Sequence, residues 1–115
     1  MTWNTRLNKY VATGTASRYD PAKGEIVRGF FYSLSDDLIN WTPRQFLMEV
    51  ENYASWVCGD PDVRAYPVLL DPDAPDRNLA VTDSQAYMYY MVHHRPNCVW
   101  TNDRDLVRVP VEFTP

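Results

Sequence analysis

Nowhere in the chain do apolar residues recur at i, i+3, i+4 and i+7 over about eleven positions, the pattern an amphipathic helix requires. The sequence instead carries short runs of β-branched and aromatic residues, broken by proline, glycine and aspartate. The clearest run is residues 105–113. Leu106, Arg108 and Pro110 face one way there, and Val107, Val109, Val111 and Phe113 face the other. Pro110 has no N–H to give to a ladder, which predicts an edge or outer position for this strand. A chain patterned in this way folds as all-β.

The other runs follow the same logic. Residues 8–13 are rich in strand formers and stop at Gly14, and 29–34 place Phe30, Tyr32 and Leu34 on one face. Residues 45–50 suit a third strand, and 86–93 (Ala-Tyr-Met-Tyr-Tyr-Met-Val-His) a strong one. The apolar run 66–70 is expected to be buried on both faces. Between the runs, 14–28 read as a surface hairpin loop, 51–65 as a long connection and 71–85 as turns.

At 115 residues the chain is expected to form a single domain. Its 14% aromatic content makes a core feasible at that length, because each ring buries a large area. A net charge of −4 argues against a nucleic-acid partner held through phosphates. No apolar run approaches the roughly 18 residues of a membrane span, so no membrane partner is expected. The first residues lack the features of a signal peptide, and the sequence assigns no compartment. Cys58 and Cys98 form no Cys-x-x-Cys pair and read as two unpaired thiols, a single disulfide being the alternative in an oxidising compartment. His93 and His94 are adjacent and would point to opposite faces of a strand, which does not suit chelation of one metal. Asp71, Asp73 and Asp76 lack the glycine and terminal glutamate of an EF-hand loop and read as turn residues. No cofactor or metal is implied.

The most informative stretch is 29–49. An aromatic strand runs into Ser35-x-Asp37-Leu38-x-x-Trp41, followed by a short return strand. Ser35 and Asp37 can bond nearby backbone N–H groups and hold a tight turn. Leu38 and Trp41 are then expected to fold back between sheets, so that Trp41→Ala would cost ~3–5 kcal/mol.

This device resembles the blade motif of the five-bladed β-propeller glycoside hydrolases, the superfamily of family 43 arabinanases and xylosidases and of the β-fructosidases. The flanks resemble it as well. Trp3-Asn4 followed by Asn8-Lys9-Tyr10-Val11 is similar to the start of a blade. Tyr66 to Asp71, Ala86 to Tyr90 and Asp105 to Val109 are similar to a last blade. The resemblance covers most of residues 3–113. It implies a partial propeller of about two blades, at 1–50 and 60–113, since a blade takes roughly 40–50 residues and a ring about four to eight blades.

Catalysis in that superfamily uses carboxylates at the central channel, one protonated and one ionised across the glycosidic bond. No position here matches any of them, so no catalytic residue is assigned. The positions that match the sugar-lining ends of inner strands are Trp3, Asn4, Arg64, Tyr66 and Asp71. Trp3 and Tyr66 could stack on a sugar, and Asn4, Arg64 and Asp71 could bond its hydroxyls. The structural alternative has Trp3 at a fraying terminus and Tyr66 in the core. Three functions follow as expectations. The first is a glycoside-hydrolase-like propeller fragment, inactive alone or completed by other chains. The second is a small carbohydrate-binding module using Trp3, Trp56 and Tyr66, which full burial of all three would exclude. The third is an assembly module whose open strand edges drive self-association or pairing with a partner chain.

Overall fold

In a computed structural model of the protein, residues 1–51 and 56–115 are described, and positions 52–55 of the expected 51–65 connection lie outside them. The described residues are all-β apart from one 3-10 turn at Pro96–Cys98. The strands are β1 Thr2–Asn4, β2 Lys9–Asp20, β3 Glu25–Ser35, β4 Gln45–Glu49, β5 Val63–Leu70, β6 Val81–Thr82, β7 Gln85–His93 and β8 Arg104–Glu112. They form a five-stranded sheet in the order β4-β3-β2-β1-β6 and a three-stranded sheet in the order β5-β7-β8.

Within each sheet the connectivity is simple. β1, β2 and β3 each pair antiparallel with the strand that follows. β5 pairs antiparallel with β7, and β7 with β8. β6 breaks the pattern: it leaves the β5–β7 connection and pairs parallel with β1, at Trp3↔Val81 and Asn4↔Thr82. Buried hydroxyl and amide groups hold that junction, with the Asn4 amide donating to Thr82 Oγ1 at 3.0 Å and to the Asp83 carbonyl at 2.9 Å. A single apolar core draws on both sheets, with Val11, Phe30 and Val50 from one side and Leu69, Met88, Tyr90, Val92 and Phe113 from the other. Gly29 is needed where β4 closes on β3. A Cβ there would collide with the Met48 carbonyl, and the register shifts by a bulge at the next step.

Several expectations are corrected. Residues 14–28 are not a loop: β2 and β3 pair without interruption from Gly14↔Phe31 to Asp20↔Glu25, leaving a turn of only 21–24. Continuous cross-strand pairing overrides the turn-like composition, and the reversal is made at Gly24, whose φ is +68 and whose N–H donates to the Asp20 carbonyl at 2.8 Å. The run 66–70 is not buried on both faces. A bulge between Ala65 and Val68 turns Tyr66 outward, and Leu69 alone of the five is fully buried. Trp41 does not enter the core. It remains 36% exposed, and its indole N–H donates to the Leu38 carbonyl at 3.2 Å, so the ring closes over its own turn. Cys58 and Cys98 are joined in a disulfide, with Cα atoms 5.5 Å apart.

β8 lies at an edge of its sheet and alternates between exposed and half-buried residues, with Val107, Val109 and Val111 on the inner side. The bonds from Phe113 N–H to the Ser84 carbonyl and from His94 N–H to the Asp103 carbonyl fix which backbone groups face β7. Odd-numbered residues of β8 bond to β7, and even-numbered ones point to the open edge. Pro110 therefore sits where its missing N–H costs no ladder bond and blunts the edge.

Candidate functional site

The Ser35–Trp41 turn works by short-range hydrogen bonding. Ser35 Oγ accepts from the N–H groups of Asp37 and Leu38, at 3.2 and 2.9 Å. Asp37 Oδ1 accepts from the N–H groups of Ile39 and Asn40, at 2.9 and 2.8 Å, and Oδ2 accepts from the Asn40 amide at 2.8 Å. The Asn40 backbone and side-chain donors, with that of Ile39, hold the Asp37 carboxyl well below the usual carboxylate range. Leu38 adopts a φ of 66 at the apex. All of this supports a structural role for the turn, since the two polar side chains are engaged with their own loop.

The five sugar-site candidates are divided between the sheets. Trp3 is half-buried in β1, with its ring edge-on to Tyr10 at 4.7 Å. Asn4 is 0% exposed, and its Oδ1 accepts from Leu7 N–H at 2.8 Å, so all its polar atoms face the protein. Arg64 and Tyr66 lie in β5 of the other sheet. Arg64 is half-buried and donates to the Asp62 carbonyl at 2.9 Å. Tyr66 is 66% exposed. Asp71 follows β5, accepts from Asp73 N–H at 2.9 Å, and borders a cleft of about 570 Å³ that Asp73, Asp83 and Glu112 also line. Asp76 likewise holds its own turn, accepting from the N–H groups of Asn78 and Ala80 at 3.1 and 2.8 Å. A second cleft, of about 410 Å³ and mostly apolar, opens between the sheets against Leu7, Val11, Leu34, Leu47, Leu69 and Phe113.

Two further clusters gather where β7 ends. His94 stands between two carboxylates, with Nδ1 at 2.6 Å from Asp62 and Nε2 at 2.7 Å from Asp105. As an imidazolium it can donate to both, tying the entry of β5 to the start of β8. The bonds to Asp105 and then Asp62 raise its pKa above the ordinary histidine value. Burial, with the positive charges of Arg104 and His94, pushes that of His93 down.

Beside this pair, the Arg95 guanidinium lies 3.7 Å from the ring centre of Trp100 and 4.0 Å from that of Trp56. Rings continue from Trp100 to His93 at 6.0 Å and from His93 to Tyr66 at 6.1 Å. Trp56 and Tyr66 thus share one cluster, while Trp3 packs with Tyr10 in the other sheet. Sequence reasoning singled out neither Arg95 nor Trp100, nor the His94 bridge. Each depends on partners brought together by sheet pairing, and no local spacing announces them. No protein-family model matches the chain, and neither the curated proteins nor the solved structures hold a match to it.

Proposed function

We propose that the chain supplies two consecutive blades of a glycoside-hydrolase-like β-propeller, and that it acts on carbohydrate as part of a larger ring, with the catalytic carboxylates contributed from outside it. The connectivity carries this reading. β1-β2-β3-β4 is a four-stranded antiparallel meander of the kind that makes up a propeller blade, and β5-β7-β8 is a meander one strand shorter. The turn built on Ser35 and Asp37 at the end of β3 adds to it, because that is where the blade motif of the superfamily places its tight turn. The apolar cleft between the sheets, with exposed residues along β4 and β8, is what a unit made to pack against neighbouring blades would present.

Two blades enclose no central channel, so the active form is an assembly. Completion by further copies needs about two to four chains to reach about four to eight blades. Light scattering on a sizing column, with circular dichroism to verify folding, tests this. A discrete oligomer in that range is expected, and it should not hydrolyse aryl arabinofuranosides or xylosides unless a chain bearing the carboxylates is added. A folded, monodisperse monomer contradicts the ring and leaves a free-standing module in its place.

A further inference from the structure

The two sheets put their inner faces together, and each turns a second face outward. Phe30 and Met88 mark the inner side, since both belong to the shared core. Neighbouring residues of a strand point the other way. Phe31 therefore lies on the outer face of the five-stranded sheet, with Gly14 and Phe46 beside it in register and the Phe46 ring edge-on to it at 5.6 Å. Tyr87 and Tyr89 lie on the outer face of the three-stranded sheet, with Pro110 and Arg108 beside them in register.

These outer faces differ in shape and in charge. On the five-stranded sheet, Ala12, Gly14 and Ala16 leave a shallow hollow of about 140 Å³ next to Phe31. The guanidinium groups of Arg18 and Arg44 stand 5.7 and 5.8 Å from the Phe31 ring centre, and both residues are exposed. The outer face of the three-stranded sheet is bulky instead, with its two tyrosines and with Leu106 64% exposed. One end of it is the cleft lined by Asp71, Asp73, Asp83 and Glu112, with Tyr87 and Pro110 in its wall. Arg108 is held outside that cleft, 4.1 Å from the Tyr87 ring centre and donating to the Tyr89 hydroxyl at 3.1 Å. Among the described residues the ion pairs join Lys9 to Asp36, Lys23 to Glu49, and His94 to Asp62 and Asp105. Neither Arg18 and Arg44 nor the carboxylates of the cleft take part in one. The two sets are opposite in sign, but they sit on the outsides of two packed sheets and can meet only between copies.

We propose that copies of this chain pack head to tail, the outer face of the five-stranded sheet of one on the outer face of the three-stranded sheet of the next, with Arg18 and Arg44 against the carboxylates of the cleft. This rests on the blade reading above and supplies the contact by which one chain follows another round a ring. A contact between two different faces leaves a free face at each end, so it closes into a ring or continues. Stacking like faces would set arginine against arginine or carboxylate against carboxylate, which selects against a two-fold pair.

The test is light scattering of the purified full chain on a sizing column at low and at high salt. Self-association that weakens with salt is expected. Arg18→Glu/Arg44→Glu and Asp73→Arg/Glu112→Arg should each weaken it about tenfold or more, with native circular dichroism and Tm. An equimolar mixture of the two variants should regain the native assembly, because the reversed faces match each other. If the glutamates beside Phe31 lower Tm, Arg18→Gln/Arg44→Gln keeps long side chains over that ring, removes only the charge and should weaken assembly as well. An oligomer of unchanged size in both charge-reversed variants overturns the head-to-tail contact and leaves the propeller ring to some other one. Open fibres that both reversals dissolve keep the contact and discard the closed ring. A monomer at every concentration discards both.

Discussion

The end of β3 and the end of β7 are both reversals in a β meander, yet they are held in opposite ways. After β3, Ser35 and Asp37 satisfy five neighbouring N–H groups, none more than three residues away. Around the end of β7, the ties reach across the chain. His94 meets Asp62 from 32 residues away, and the disulfide spans a separation of 40. Local ties form with little loop entropy to overcome, whereas distant ones remove much more freedom from the unfolded chain. The four-stranded sheet therefore draws on short-range hydrogen bonding and a long hairpin, and the three-stranded sheet on ties between residues far apart in the sequence.

The largest effect should come from the disulfide. Cys98→Ser should cost about 4 kcal/mol, the loop-closure estimate for a ring of this size, read from urea denaturation. A cost below about 1 kcal/mol would mean the three-stranded sheet does not lean on this clamp. Next is the local side of the comparison. Ser35→Ala leaves two N–H groups in the turn without their acceptor, on a buried residue, and should cost about 1–2 kcal/mol. If Ser35→Ala proves neutral, the turn is held by Asp37 alone. Trp41→Ala should cost about 1 kcal/mol, because the ring lies on the surface of its turn; a loss of ~3–5 kcal/mol would return Trp41 to a core.

The smallest effect is the pH dependence of the His94 bridge, whose three side chains are well exposed to solvent and screening. Its folded pKa is raised, so its contribution is fully present below the ordinary histidine value of 6.5 and is lost as pH rises through the raised one. Tm should thus fall across that window in the native chain and fall less in Asp105→Asn. Equal slopes in the two proteins would remove the bridge from the account.

What could be read from the sequence follows the same division. Alternation in 105–113 gave a strand and its inner face, because a strand's period is local, and Pro110 gave its edge position. Ser35 and Asp37 were readable as a turn device for the same reason. The fate of Trp41 was not, since a turn motif fixes the backbone and leaves open whether anything packs over its rings. Residues 14–20 and 25–28 look like loop in composition, but each is carried into the sheet by its partner across the hairpin. Tyr66 left the expected buried run because of a bulge that only the pairing with β7 defines. His94, Arg95 and Trp100 carried no spacing signal at all. Their roles depend on which strand ends meet.

The most direct test of this division is residue-resolved amide exchange in the full chain, before and after reduction of Cys58–Cys98. Protection should fall first in β5, β7 and β8, while the β2–β3 hairpin and the Ser35 turn keep theirs. Parallel loss in β2 and β3, or no change in β5, β7 and β8, would contradict the claim that the two sheets stand on different supports.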